Sequence, residues 1–196
     1  MLNTLNSLGR VFRSRQKKSP QDTFEYLPHV KIMLGSRISK DSIIGDYTYV
    51  GYNSYITKSV IGRYCSIANN ISIGIGEHDL SKISTSSLFY ENTYEALTEK
   101  DCIIGNDVWI GVDSIIRRGV HIGDGVVIGA NSFVNCDVPD FAIVAGNPAR
   151  LIRYRFSLEQ INYIKASSWW DFEYEEAKNI ICHLSDILLT EQESGK

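Results

Sequence analysis

A mainly β fold, a parallel β-helix, is what this sequence predicts, and three observations carry it. Apolar residues return every six positions, a glycine follows most of them, and the fourth residue after each is usually small or β-branched. A fixed internal period is the signature of a stacked repeat, in which each unit can bury its inner face only against its neighbours. An α-helix would need apolar recurrences at three and four residues, so a strict six with β-branched enrichment selects short strands joined by tight bends.

The first series runs Ile44-Gly45, Val50-Gly51, Ile56 and, after a one-residue slip, Ile61-Gly62, Ile67-Ala68 and Ile73-Gly74. The second runs Ile104-Gly105, Ile110-Gly111, Ile116, Ile122-Gly123, Ile128-Gly129 and Val134. A second inward position per hexad is read from Thr48, Ser54, Cys65, Ile71, Val108, Ser114, Val120, Val126, Ser132 and Val138. The glycine after each aliphatic is expected to serve the bend, where a missing side chain relaxes the backbone limits.

Stacked coils need caps at both ends. Residues 1–37 are expected to form a helical capping segment, because Leu5, Leu8, Val11 and Phe12 have roughly helical spacing. The coil proper is expected over 38–150, interrupted at about 74–103, where the rhythm of six stops and an inserted loop begins. Residues 151–196 read as a helical segment: Leu158, Ile161 and Ile164, then Ala177, Ile180, Ile181 and Leu184, around Trp169 and Trp170. Ser157 with Gln160 makes a capping box at the first helix start.

At 196 residues the chain is long enough for one substantial domain. A formal charge of -3 gives no global reason to bind nucleic acid. Cys65, Cys102, Cys136 and Cys182 form no Cys-x-x-Cys pair, which suits reduced thiols and a cytoplasmic location, and no apolar run approaches the length of a membrane span. The basic N-terminus, with Arg10, Arg13, Arg15, Lys17 and Lys18, is compatible with a weak peripheral membrane contact or with a solvated tail.

The inserted loop, GIGEHDLSKISTSSLFYENTYEALTEKD, is the richest chemical stretch. Long loops on rigid scaffolds tend to carry function. His78 stands out because imidazole titrates near neutrality and can take a proton from an attacking hydroxyl. A structural hydrogen-bonding role is the competing reading. Glu77 and Asp79 flank it, and neither is assigned as its orienting partner.

Residues 40 to 175 resemble the hexapeptide-repeat xenobiotic acetyltransferases, a family of chloramphenicol, streptogramin and sugar O-acetyltransferases. The resemblance rests on IGRYCSIANNISIGIGEHDLSKISTSSLFY, IGNDVWIGVDSIIRRGVHIGDGVVIGANSFV, VAGNPARLIRYRF and SSWWDF, in that order. It implies a left-handed coil, a homotrimer with active sites between subunits, acetyl-CoA as co-substrate and His78 as the general base of a direct transfer, with no metal. It places CoA along Trp109, Val112, Ala130, Asn135 and Cys136. Arg150 and Arg153, just after GNPA, could pair with the nucleotide's phosphates through their forked donors, or stand solvated. Relatives often carry Thr-Lys where this chain has Asn135-Cys136, which removes a basic contact. Phe89 and Tyr90 are candidate walls of the acceptor pocket, or loop packing.

The acceptor is expected to be a hydroxyl of a bacterial surface sugar or its precursor, with a small antibiotic such as chloramphenicol or a streptogramin as the alternative. Zinc-dependent carbonic anhydration on the same fold would need three converging histidines, and His29, His121 and His183 form no short-spaced ligand pair. A non-catalytic scaffold would leave the conjunction of His78, its loop and GNPAR unexplained. GDGVVIG belongs to the repeat and is not a dinucleotide fingerprint. Cys65, at an inward position, reads as core.

Overall fold

The computed structural model describes residues 25–27 and 29–194, with side chains over 29–187. Short strands wind into a left-handed parallel β-helix with three sheets as its faces. The first sheet carries Val30–Ile32, Tyr49–Val50, Ser66–Ile67, Trp109–Ile110, Val127–Ile128 and Ala142–Ala145. The second carries Arg37–Ile38, Tyr55–Ile56, Ser72–Ile73, Ile115–Ile116 and Phe133–Val134. The third carries Ile43–Ile44, Ser59–Ile61, Cys102–Ile104 and His121–Ile122.

Parallel pairing puts equivalent residues of successive coils in line, Trp109 opposite Val127 and Tyr49 opposite Ser66. Hence the aliphatic of each hexad stacks on its own kind, as in Ile44, Ile61, Ile104 and Ile122 or Val50, Ile67, Ile110 and Ile128. These columns fill the interior, and most of their members are fully buried. All ten residues assigned to the second inward position are buried as well. Where that position is a hydroxyl, it bridges coils: Ser114 Oγ accepts from Ser132 N–H at 3.3 Å and donates to the Gly129 carbonyl at 3.0 Å. A buried hydroxyl is thus satisfied by backbone groups of the next coil.

Apart from Gly74, whose φ of 61° does serve a bend, the glycines after the aliphatics behave differently from the expectation that they relieve the bends. Left-handed backbone falls instead on corner residues such as Tyr47, Asn53, Tyr64, Asn70, Asp107 and Asp113, with φ between 54° and 63°. Glycine after the aliphatic answers a packing limit. A Cβ on Gly62 would stand 2.6 Å from the Gly105 carbonyl oxygen, and one on Gly111 would stand 2.6 Å from Ala130 N. Strand spacing of about 4.8 Å brings the corners of adjacent coils too close for a side chain there.

The chain leaves the coil after Ile73 and rejoins it at Cys102, and the ladder closes across the gap, with Cys102–Ile104 pairing Ser59–Ile61. The insertion contains a 3-10 turn at Ser87–Phe89 and one short α-helix, α1 (Thr93–Leu97). Coil pairing starts at Val30, ahead of the predicted boundary at residue 38, because Val30–Ile32 joins Tyr49–Val50 in parallel and Glu25–Leu27 in an antiparallel hairpin. The predicted apolar helix and basic cluster of the N-terminus lie outside the described residues.

The C-terminal boundary also differs: Arg150–Tyr154 is a strand that turns back antiparallel on Ala142–Ala145, so the helices start only at α2 (Leu158–Ser167) and continue in α3 (Tyr174–Ser194). The capping box at Ser157 is formed in both directions. Trp169 and Trp170 occupy a buried single turn between the helices and meet Phe141, Ile161, Ala177 and Leu184 in a second core that seals one corner of the coil. Among the described residues no helix is long and apolar enough to cross a membrane.

Candidate active site

The point where the loop returns to the coil forms a cavity of about 590 Å³, and His78 lines it together with Glu77, Lys82, Lys100, Asn135 and Cys136. Its walls come from two elements far apart in sequence, the inserted loop and the corners after Ile116 and Val134.

His78 Nδ1 lies 2.5 Å from the Thr85 carbonyl oxygen. A carbonyl oxygen can only accept, so this bond requires the proton on Nδ1, and in the neutral imidazole the lone pair is then on Nε2. The residues flanking His78 are held independently. Glu77 takes a bidentate pair from Arg117, Oε1 to Nε at 2.6 Å and Oε2 to Nη2 at 2.7 Å, while its amide donates to the Leu97 carbonyl at 2.8 Å. The Asp79 amide donates to Tyr90 Oη at 2.9 Å, and its carboxylate accepts from the Ser81 amide and hydroxyl, which hold it below the usual carboxylate range. Neither acid is the hydrogen-bond partner of Nδ1; the main chain at Thr85 supplies it.

Arg118 is buried, and its guanidinium ties the returning end of the loop, at Lys100, to the coil corner at Thr57 and Lys58. Nη1 donates to the carbonyls of Lys58 and Lys100 at 2.8 and 2.9 Å, and Nη2 to that of Thr57 at 2.7 Å. Burial pulls its pKa down, which makes carbonyl dipoles its compensation in place of a carboxylate. Lys58 in turn donates to the Thr98 carbonyl at 2.9 Å, and Tyr94 of α1 donates to the Asp41 carboxylate at 2.8 Å. Sequence reading passed over both arginines. The consecutive charges in IIRRGV, breaking an otherwise apolar coil beside the insertion, were the available signal.

The protein shares its pattern with known chains. Residues 101–136 match the family model described as bacterial transferase hexapeptide (six repeats). A chloramphenicol acetyltransferase of Escherichia coli is 37% identical over 134 residues, 63% of this chain and 64% of the relative, so this chain spans less than two thirds of that protein's length. A protein of Lysinibacillus sphaericus named "Probable macrolide acetyltransferase" is 38% identical over 147 residues, covering 69% of this chain and 79% of the relative. The chain belongs to the hexapeptide-repeat acetyltransferase family. Within that family, an acetyltransferase of Vibrio cholerae solved in complex with acetyl-CoA superposes with a TM-score of 0.51 at 30% identity, over 63% of this chain and 66% of that one.

The other residues singled out by the resemblance spread along the coil. Asn135 and Cys136 share the cavity with His78. Val112 and Ala130 do not line it; they are exposed at the opposite edge of the second sheet, on the corner where Gly111 meets Ala130. Trp109 is 56% exposed on the outer face of the first sheet, between Ser66 and Val127. Arg150 and Arg153 are exposed on the returning strand, bonded to the carbonyls of Ala149 and Tyr154, and form no ion pair among the described residues. Phe89 and Tyr90 are separate from the cavity wall. Tyr90 is buried behind His78, with ring centroids 6.2 Å apart, whereas Phe89 points to solvent. Tyr90 therefore supports the loop from inside, its hydroxyl fixing Asp79.

Cys65 is buried, and desolvation pushes its thiol up to about 12, as a core residue requires. Among the described residues, no group of three or more His, Cys, Asp or Glu side chains could hold a metal ion.

Proposed function

We propose that the protein transfers an acetyl group from acetyl-CoA to a hydroxyl of a bacterial surface sugar or its precursor, with His78 as general base. The observation that supports this most is the His78 Nδ1 bond to Thr85 O, since it leaves Nε2 able to accept a proton in a cavity shared with Asn135 and Cys136. Nε2 takes the acceptor's hydroxyl proton as the oxygen attacks the thioester carbonyl. The tetrahedral oxyanion collapses, the C–S bond breaks, and the imidazolium returns its proton to the departing CoA thiolate. No covalent enzyme intermediate is needed. The nucleotide end of CoA would extend along the coil past Val112, Ala130 and Trp109, with Arg150 and Arg153 available to its phosphates.

The charged lining of the cavity, with Glu77, Asp79, Lys82, Glu99 and Lys100, favours a polyhydroxylated acceptor. The 37% identity to a chloramphenicol acetyltransferase favours a second reading, acetylation of that drug or a similar one. A homotrimer is part of the proposal. Ile43, Val60 and Ile103 form an exposed apolar column on the outer face of the third sheet, the kind of surface an obligate assembly covers.

The test is acceptor-dependent release of CoA thiol from acetyl-CoA across sugars, nucleotide sugars, chloramphenicol and streptogramins, with His78→Ala in parallel. Turnover that falls roughly 10²- to 10⁴-fold in the variant supports the reading and names the acceptor. Wild-type rates in His78→Ala would remove the histidine from the mechanism, and failure to bind CoA would return the protein to a scaffold role.

A further inference from the structure

The Glu77–Arg117 pair is partly exposed, with side chains 38% and 49% accessible, so it contributes little to stability, yet its geometry is the bidentate one that fixes orientation. It joins the residue immediately before His78 to a coil residue 40 positions on. Arg117 follows Ile116, which is fully buried and paired to Ile73 and Val134, so the anchor sits at the edge of the ladder-paired coil. Glu77 sits on an insertion whose regular structure is a 3-10 turn and one five-residue helix.

We propose that Arg117 is a positioning residue. By clamping Glu77 it fixes the backbone at His78 so that Nδ1 stays on the Thr85 carbonyl and Nε2 stays presented to the cavity. The clamp also engages both Glu77 oxygens, which holds the carboxylate on Arg117 while Thr85 partners the imidazole. Arg117 is held in its charged form by the same bonds. The inference rests on His78 being the base, but the imidazole's tautomer can be read without any turnover.

The experiment compares wild type, Arg117→Ala, Arg117→Lys and the exchanged pair Glu77→Arg/Arg117→Glu as full chains. Two-bond ¹H–¹⁵N spectra report the imidazoles, with the His78 signals identified by their loss in His78→Ala; the chain has only four histidines to separate. A single Nδ1–H form is expected in wild type, a mixed or averaged tautomer in Arg117→Ala, an intermediate pattern in Arg117→Lys and recovery in the exchanged pair. Where turnover is measurable, kcat should fall about 10- to 100-fold in Arg117→Ala, with KM for acetyl-CoA within about twofold and kcat largely restored by the exchange. A disturbed tautomer in Arg117→Ala, recovered by the exchange, with no turnover in wild type, would sustain the clamp and reject the proposed reaction. A wild-type His78 spectrum in Arg117→Ala, or an unchanged kcat, would overturn the clamp whatever the reaction.

Discussion

His78 meets the carbonyl oxygen of Thr85 across 2.5 Å, and this acceptor belongs to the main chain. A side-chain partner could be removed by substitution; this one cannot. Thr85→Ala should therefore keep kcat within about threefold of wild type, as expected when no needed side-chain bond is lost. Steady-state assays decide it, and a tenfold loss would show that the threonine hydroxyl is required.

Stacked corners set a second expectation. Gly62→Ala or Gly111→Ala forces a methyl group to 2.6 Å from the backbone of the next coil and should cost about 1–3 kcal/mol, seen as a lower melting temperature. Asn131 already has φ of 57° and an exposed side chain, so Asn131→Gly should leave the melt nearly unchanged. Equal effects at the two kinds of site would mean that both serve the bend.

Thiol chemistry should divide the four cysteines. Burial pushes Cys65 up to about 12 and Cys102 up to about 11, so neither should react with a maleimide or an aromatic disulfide at neutral pH while the protein is folded. Cys136 and Cys182 are exposed and should label. Acetyl-CoA should slow labelling of Cys136 and leave Cys182 unaffected; peptide mass spectrometry distinguishes them, and equal protection would argue against CoA reaching the His78 cavity.

The adjacent arginines should separate stability from positioning. Arg118→Met leaves the carbonyls of Thr57, Lys58 and Lys100 without a shared donor and should cost about 3 kcal/mol. Arg117→Ala removes a partly exposed pair and should cost less than about 1 kcal/mol. Denaturant melts of the two variants test this directly, and a reversed order would contradict both assignments.

Much of the fold was legible because a β-helix repeats its physics in sequence. Ile104 and Ile122 share one column because three hexads, 18 residues, make one full turn of the coil, and each aliphatic along the chain carries the mark of its position six residues from the next. The capping box at Ser157 was equally local. The hairpin at Glu25–Leu27 and Val30–Ile32, and the returning strand Arg150–Tyr154, were not legible. They cap the coil by pairing with its first sheet, and pairing of that kind leaves no period to read.

The sequence by itself determined the coil, its two inward positions, the insertion and the histidine within it, since all of these follow from residue type and spacing. Only the tertiary structure decided that the glycines answer coil-to-coil contact, that Arg117 and Arg118 fasten the loop, and that Thr85 holds the imidazole. The reason is physical: close approach between coils and a hydrogen bond to a carbonyl depend on where the backbone runs in space, and every residue carries the same backbone.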